Sequence, residues 1–192
     1  MPAEGATEQI ARIATGEIGM LFNGAGYAGA KAAQDAAMKT RLKIPLIFAG
    51  DVIHGLRTAY PLPIAEACAF DPDLAERTAR AAALESTALG IHWTFAPMVD
   101  VARDQRWGRV AEGSGEDPYL GIALAKARVR GFQGADLKDP TRVAACAKHF
   151  AAYGAVSGGM DYNQTEISRP TLHEVHLAPF QACDGPRAMS VG

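Results

Sequence analysis

Asp100-Val-Ala-Arg-Asp-Gln-Arg-Trp-Gly-Arg109 follows directly on the apolar run Trp93-Thr-Phe-Ala-Pro-Met-Val99 and leads into Glu112-Gly-Ser-Gly-Glu-Asp-Pro118. The apolar run has the pattern of a buried strand, and three arginines, two aspartates and a tryptophan crowd the stretch after it. Charge packed this densely behind a strand suits a loop built over a polar ligand, since loops on rigid strands carry most sites. A salt-bridged, solvated loop would give the same composition. Asp117-Pro118 then supplies an N-cap and a first-turn proline, so a helix begins where the loop stops.

Working outward, the same alternation recurs. Helix candidates cover residues 5–15, 29–42, 71–90, 117–132 and 170–182, the last with a bend at Pro179. Strand candidates cover 18–23, 44–49, 93–99, 142–147 and 188–191. Strand followed by helix throughout predicts an α/β fold with parallel strands and right-handed crossovers. Polar clusters fall after strands, at Asp51, at 100–109 and at Lys148-His149. In a parallel barrel that puts them together at the C-terminal face, where such folds keep their sites. About four and a half βα units cannot close an eight-stranded barrel of about 250 residues, so a partial (β/α)8 TIM-type barrel is expected.

Composition is permissive. At 192 residues, 48% hydrophobic and 21% charged, the chain can bury a sizeable core. A net charge of -2 gives no reason to expect nucleic acid or an anionic membrane as partner. Cys68, Cys146 and Cys183 are scattered and odd in number, and read as buried small hydrophobes. No apolar run reaches transmembrane length, and Met-Pro-Ala-Glu-Gly at the start lacks the pattern of a signal peptide.

A competing motif lies upstream. Gly24-Ala-Gly26-Tyr-Ala-Gly29 matches G-x-G-x-x-G between a strand and a helix, with Asp51 about where a ribose-binding acid belongs. That predicts an NAD(P)-binding Rossmann oxidoreductase. Against it, Asp51 sits in its own polar loop, Gly50-Asp-Val-Ile-His-Gly55, and later strand ends carry cations with no role in holding a nicotinamide.

Asp51-Val-Ile-His-Gly55, Phe95-Ala-Pro-Met-Val-Asp100, Arg103-Asp-Gln-Arg-Trp-Gly-Arg109, Gly115-Glu-Asp-Pro118 and Lys148-His-Phe150 together resemble glycoside hydrolase family 3, closest to its β-glucosidase and β-xylosidase branch. The resemblance runs from about Ile18 onward, and Gly158-Gly-Met-Asp-Tyr-Asn163 is similar to the bacterial periplasmic β-glucosidase type. Gln105 stands where the family usually has proline, a change of loop stiffness more than of chemistry.

The resemblance implies an exo-acting, retaining β-glycosidase with no metal or organic cofactor, acting on a β-glucoside or short β-linked oligosaccharide in a periplasmic or secreted setting. It makes Asp51 the bidentate holder of the non-reducing-end hydroxyls, with Arg109, Lys148 and His149 holding the others. Arg106 is expected to brace Asp100 or Asp104, Trp107 to pack the loop, and His54 and Glu116 to support turns. His173-Glu-Val-His176 lacks the spacing of a zinc site and reads as helix surface. Retention needs a nucleophile and an acid/base about 5–5.5 Å apart. The resemblance places both beyond residue 192, on a later strand and usually in a second domain. Residues 1–192 are therefore expected to be the N-terminal part of a barrel, inactive and prone to associate without the remainder. A carbohydrate-binding protein without catalysis is the third expectation.

Overall fold

A computed structural model describes residues 4–23, 26–184, 188 and 190–192. Five short strands, β1 (Met20–Phe22), β2 (Ile47–Gly50), β3 (Trp93–Thr94), β4 (Cys146–Ala147) and β5 (Ser190–Val191), alternate with helices among the described residues. The helices are α1 (Glu4–Thr15), α2 (Gly26–Ala37), α3 (Pro63–Ala67), α4 (Pro72–Ala88), α5 (Pro118–Gln133), α6 (Arg169–Thr171) and α7 (Ala178–Asp184).

Every pairing is parallel. Met20 lies opposite Ile47 and Phe22 opposite Ala49, then Ala49 opposite Trp93 and Gly50 opposite Thr94. Bridges from Trp93 to Ala144 and from Met98 to Lys148 join the third run to the fourth, and Cys146 pairs with Ser190. The strand order is therefore 1-2-3-4-5 without reversal, the winding of a barrel wall. A dinucleotide fold instead reverses its order at the ligand crevice. Gly24 lies outside the described residues, and the structure gives the Rossmann reading no support.

Caps behave as the residue types require. Asp71 accepts from the Asp73 and Leu74 amides at 3.0 and 3.1 Å, with Pro72 at the start of α4. Asp117 accepts from the Leu120 amide at 2.7 Å, with Pro118 opening α5. These two helices are the main packing pair behind the sheet. A Cβ on Gly131 would stand 2.4 Å from the Glu76 carbonyl oxygen, so only glycine allows their approach. The core between them and the strands gathers Val52, Ala79, Ala83, Val129, Phe132 and Val143. A separate cluster of Ile13, Ala33, Ala37, Leu46 and Phe48 sits under α1 and α2.

Several expectations need correction. The run 93–99 forms a continuous strand only over Trp93–Thr94 and pairs again in a single bridge at Met98, because Pro97 has no N–H to donate to a ladder. Residues 54–70 contain α3, whose N-cap Leu62 offers no polar side-chain signal. The helix over 170–182 is broken before Pro179, with a π turn over Leu172–His176 between α6 and α7; Pro179 then sits in the first turn of α7, where its missing N–H is harmless. Cys68 is exposed, whereas Cys146 and Cys183 are buried. His176 is 2% exposed and belongs to the interior, not the helix surface.

Candidate functional site

Asp51 is the first residue past β2, Asp100 follows the run after β3, and Lys148-His149 follows β4. Parallel strands in sequential order bring these ends to one rim. Lys148 is held by main chain on both sides: its amide donates to Pro97 at 3.2 Å and its carbonyl accepts from Val99 at 2.8 Å. Its Nζ then reaches Asp51 Oδ1 at 2.6 Å across 97 residues of sequence. The lysine side chain is 11% exposed and the aspartate 44%, so the pair sits at a mouth with its acid toward solvent.

His149 is fixed by Asp100. Oδ2 of that carboxylate accepts from the His149 amide at 2.8 Å and stands 2.9 Å from Nδ1. A carboxylate only accepts, so Nδ1 carries a proton and Nε2 faces away from Asp100. The Asp100 side chain has no exposed surface, and its Oδ1 has no hydrogen-bond partner among the described residues.

Arg109 is clamped by Glu112 through two bonds, Nε to Oε1 at 2.6 Å and Nη2 to Oε2 at 2.8 Å. The fork holds Glu112 below the usual carboxylate range, with Lys148 and His149 adding to the effect, so Arg109, Lys148 and His149 share one neighbourhood. Arg109 also lies 5.5 Å over the Tyr153 ring, which is edge-on to His149 and to Trp107 at 5.1 Å each. Burial, and then a hydrogen bond to Asp161, push the Tyr153 hydroxyl up to about 12. Asp161 also accepts from Trp107 Nε1 at 2.9 Å, and this seats the glycine-rich loop on the 100–109 loop.

Asp51, Arg109, Lys148 and His149 are thus gathered in one place. Arg106 braces Asp104, from Nε at 2.9 Å and from Nη2 at 2.6 Å, and lowers its pKa to about 2. Trp107 is buried packing, and His54 supports its turn by contact with the Tyr60 carbonyl at 3.0 Å. Sequence reasoning missed Tyr153 and Asp161, and gave Glu112 no role at the site. The i, i+3 spacing of Arg109 and Glu112 was the available signal. Among the described residues no group of three or more His, Cys, Asp or Glu could hold a metal ion.

The arrangement offers hydroxyl groups a carboxylate, two fixed cations and an oriented imidazole, which is what a polyol needs and what a flat apolar ligand does not. Residues 3–185 match the glycosyl hydrolase family 3 N-terminal domain. A periplasmic β-glucosidase of Salmonella typhimurium is 42% identical over 88% of the chain and 22% of its own length, and a β-xylosidase of Formosa agariphila is 38% identical over 80% and 23%. The solved β-glucosidase of Listeria innocua in complex with glucose is 44% identical, with a TM-score of 0.88 over 90% of the chain and 24% of that protein. The chain thus spans about a quarter of the length of these relatives. With a sequential parallel fold, strand-end motifs in the family's order and a match over almost its whole length, this chain belongs to glycoside hydrolase family 3.

Proposed function

We propose that residues 1–192 form the N-terminal part, about four and a half βα units, of a family 3 (β/α)8 barrel that hydrolyses terminal non-reducing β-D-glucosidic or related β-glycosidic bonds. Asp51, Arg109, Lys148 and His149 hold the sugar hydroxyls. The observation that carries this reading is the 2.6 Å contact of Lys148 with the half-exposed Asp51, beside the Asp100-oriented His149. A sugar hydroxyl is donor and acceptor at once, and charge-assisted bonds to it contribute about 1.5–3 kcal/mol each. Bonds that shorten as the ring flattens toward an oxocarbenium ion accelerate the reaction as well as bind.

Double displacement with retention needs a free nucleophilic carboxylate and a second one with raised pKa. The acids at this rim are committed otherwise: Asp51 to Lys148, Asp100 to His149, Glu112 to Arg109, Asp161 to Trp107 and Tyr153. Glu112 and Asp161 are both lowered, the wrong direction for a proton donor. The family resemblance implies that the catalytic pair comes from further along the polypeptide, from a later barrel strand and usually a second domain, and the pairing of these acids is consistent with that. The periplasmic relative supports a periplasmic or secreted setting.

The test uses the full gene product and an aryl β-glucoside. Asp51→Ala and Lys148→Ala each lower kcat/KM by about a hundredfold or more, the loss of two such bonds. Activity untouched by both substitutions overturns the site; glucose binding without hydrolysis makes the protein a binder instead. Residues 1–192 alone are inactive, and turnover by them above a Lys148→Ala control would return the catalytic pair to this stretch.

A further inference from the structure

Behind the rim lies an ion pair that the sugar-holding set does not use. Glu66 on α3 and Arg128 on α5, with side chains 3% and 8% exposed, are bonded to each other, and Thr78 on α4 donates its hydroxyl to the same carboxylate. Arg128 also bonds outside the pair: Nη1 donates to the Ile53 carbonyl oxygen at 3.2 Å. Ile53 is two residues past Asp51, in the loop that carries it. Beside the cluster is a cavity of about 10 Å³, lined in part by His54, Gly55, Glu66, Thr78 and Arg128, which leaves room for one water at most.

Removing two charges from water costs several kcal/mol per ion, and apolar replacements of similar volume are often neutral or stabilising. Stability alone is therefore a weak account of the pair. What an apolar pair cannot supply is a donor aimed at the part-buried Ile53 carbonyl. The rest of the loop is held from other directions: the Val52 amide by Thr94 Oγ1 at 3.1 Å, the Arg57 and Thr58 amides by Glu85, and the His54 carbonyl by the Tyr60 amide at 2.8 Å. Gly55, at φ 104°, packs so close to the Thr58 carbonyl oxygen that a Cβ there would lie 1.9 Å from it, so only glycine fits this turn. Ile53 is thus the place, two residues past Asp51, at which α5 grips the loop, while Glu85 of α4 grips it further along at Arg57 and Thr58.

We infer that Glu66 and Arg128 are positioning residues for sugar binding: the carboxylate orients the guanidinium, the guanidinium fixes the Ile53 carbonyl, and that carbonyl fixes where Asp51 meets the hydroxyls and Lys148. Neither touches sugar. The inference rests on the proposed sugar-holding role of Asp51, and its test separates the two.

In the full gene product, the Glu66→Leu/Arg128→Met double variant removes charge and donor while keeping volume. It is expected to melt within a few degrees of the parent, yet to raise KM for an aryl β-glucoside and the inhibition constant for glucose together by about tenfold, as one lost charged bond would. kcat changes by less than about threefold. In an Asp51→Ala background the same double substitution is expected to add nothing further, because the group it positions is gone. Should the double variant not fold, Arg128→Lys, which keeps the charge but not the planar fork, carries the test with a smaller rise in KM. Unchanged KM, or losses that simply multiply with Asp51→Ala, overturns the positioning role. If Asp51→Ala itself leaves glucose inhibition intact, the sugar-site reading fails first.

Discussion

Two regions hold their charges in opposite ways. At the rim, Asp51 and Lys148 meet with the acid 44% exposed and free to exchange a partner for a ligand hydroxyl. In the helical layer, Glu66 and Arg128 are buried at 3% and 8%, beside a cavity with room for one water at most. The first pair is reversible and chemical, the second fixed and architectural. A charge left open costs little and is available; a charge closed in is costly unless every partner stays.

That contrast orders the expected effects of substitution. Glu66→Gln leaves the buried guanidinium, whose pKa burial already pulls down, without its counter-ion, and costs about 3–5 kcal/mol in urea unfolding of the full gene product. A loss under about 1 kcal/mol would erase the difference between the regions. His176 comes next. Burial, with Arg103 acting the same way and Asp100 opposing, holds its pKa below that of a free imidazole. The native state keeps it neutral while the unfolded chain protonates below about 6.5, so its contribution is present above that pH and lost as pH falls through the lower native value. His176→Leu is expected to flatten the acid side of a stability–pH curve, whose slope from this one group is at most about 1.4 kcal/mol per pH unit. An unchanged slope would assign it to other groups.

Asp51→Asn then sharpens the comparison from the rim. It changes unfolding free energy by less than about 1 kcal/mol, because the partly exposed pair is solvent-screened, while glucose inhibition weakens severely. Stability and binding falling together would make Asp51 architectural too. The smallest effect belongs to the surface pair Lys31–Asp35, 2.6 Å apart but more than half exposed on both sides, where Lys31→Ala leaves the urea midpoint unchanged within error.

Legibility in the sequence follows the range of the interaction. Asp71-Pro72 and Asp117-Pro118 are local signals with local consequences, and both cap helices as read. Strand ends carrying Asp51, Asp100 and Lys148-His149 were legible because parallel winding sends successive strand ends to one face. Strand lengths were not: the run over 93–99 is apolar throughout, yet Pro97 interrupts its ladder. Glu66 and Arg128 gave no sign of pairing, being 62 residues apart on helices whose apolar faces look ordinary. The π turn at Leu172–His176, which ends on the buried His176, likewise has no signal in the segment's residue types.

The bond from Asp100 to His149 Nδ1 has a chemical corollary. With that nitrogen committed as donor, the neutral ring offers only a lone pair at its far edge, so an incoming hydroxyl must give its hydrogen there. A methyl ether with its oxygen in the same spot would have nothing to give. The pocket would turn away an O-methylated sugar at that position by bond polarity alone, before size came into play.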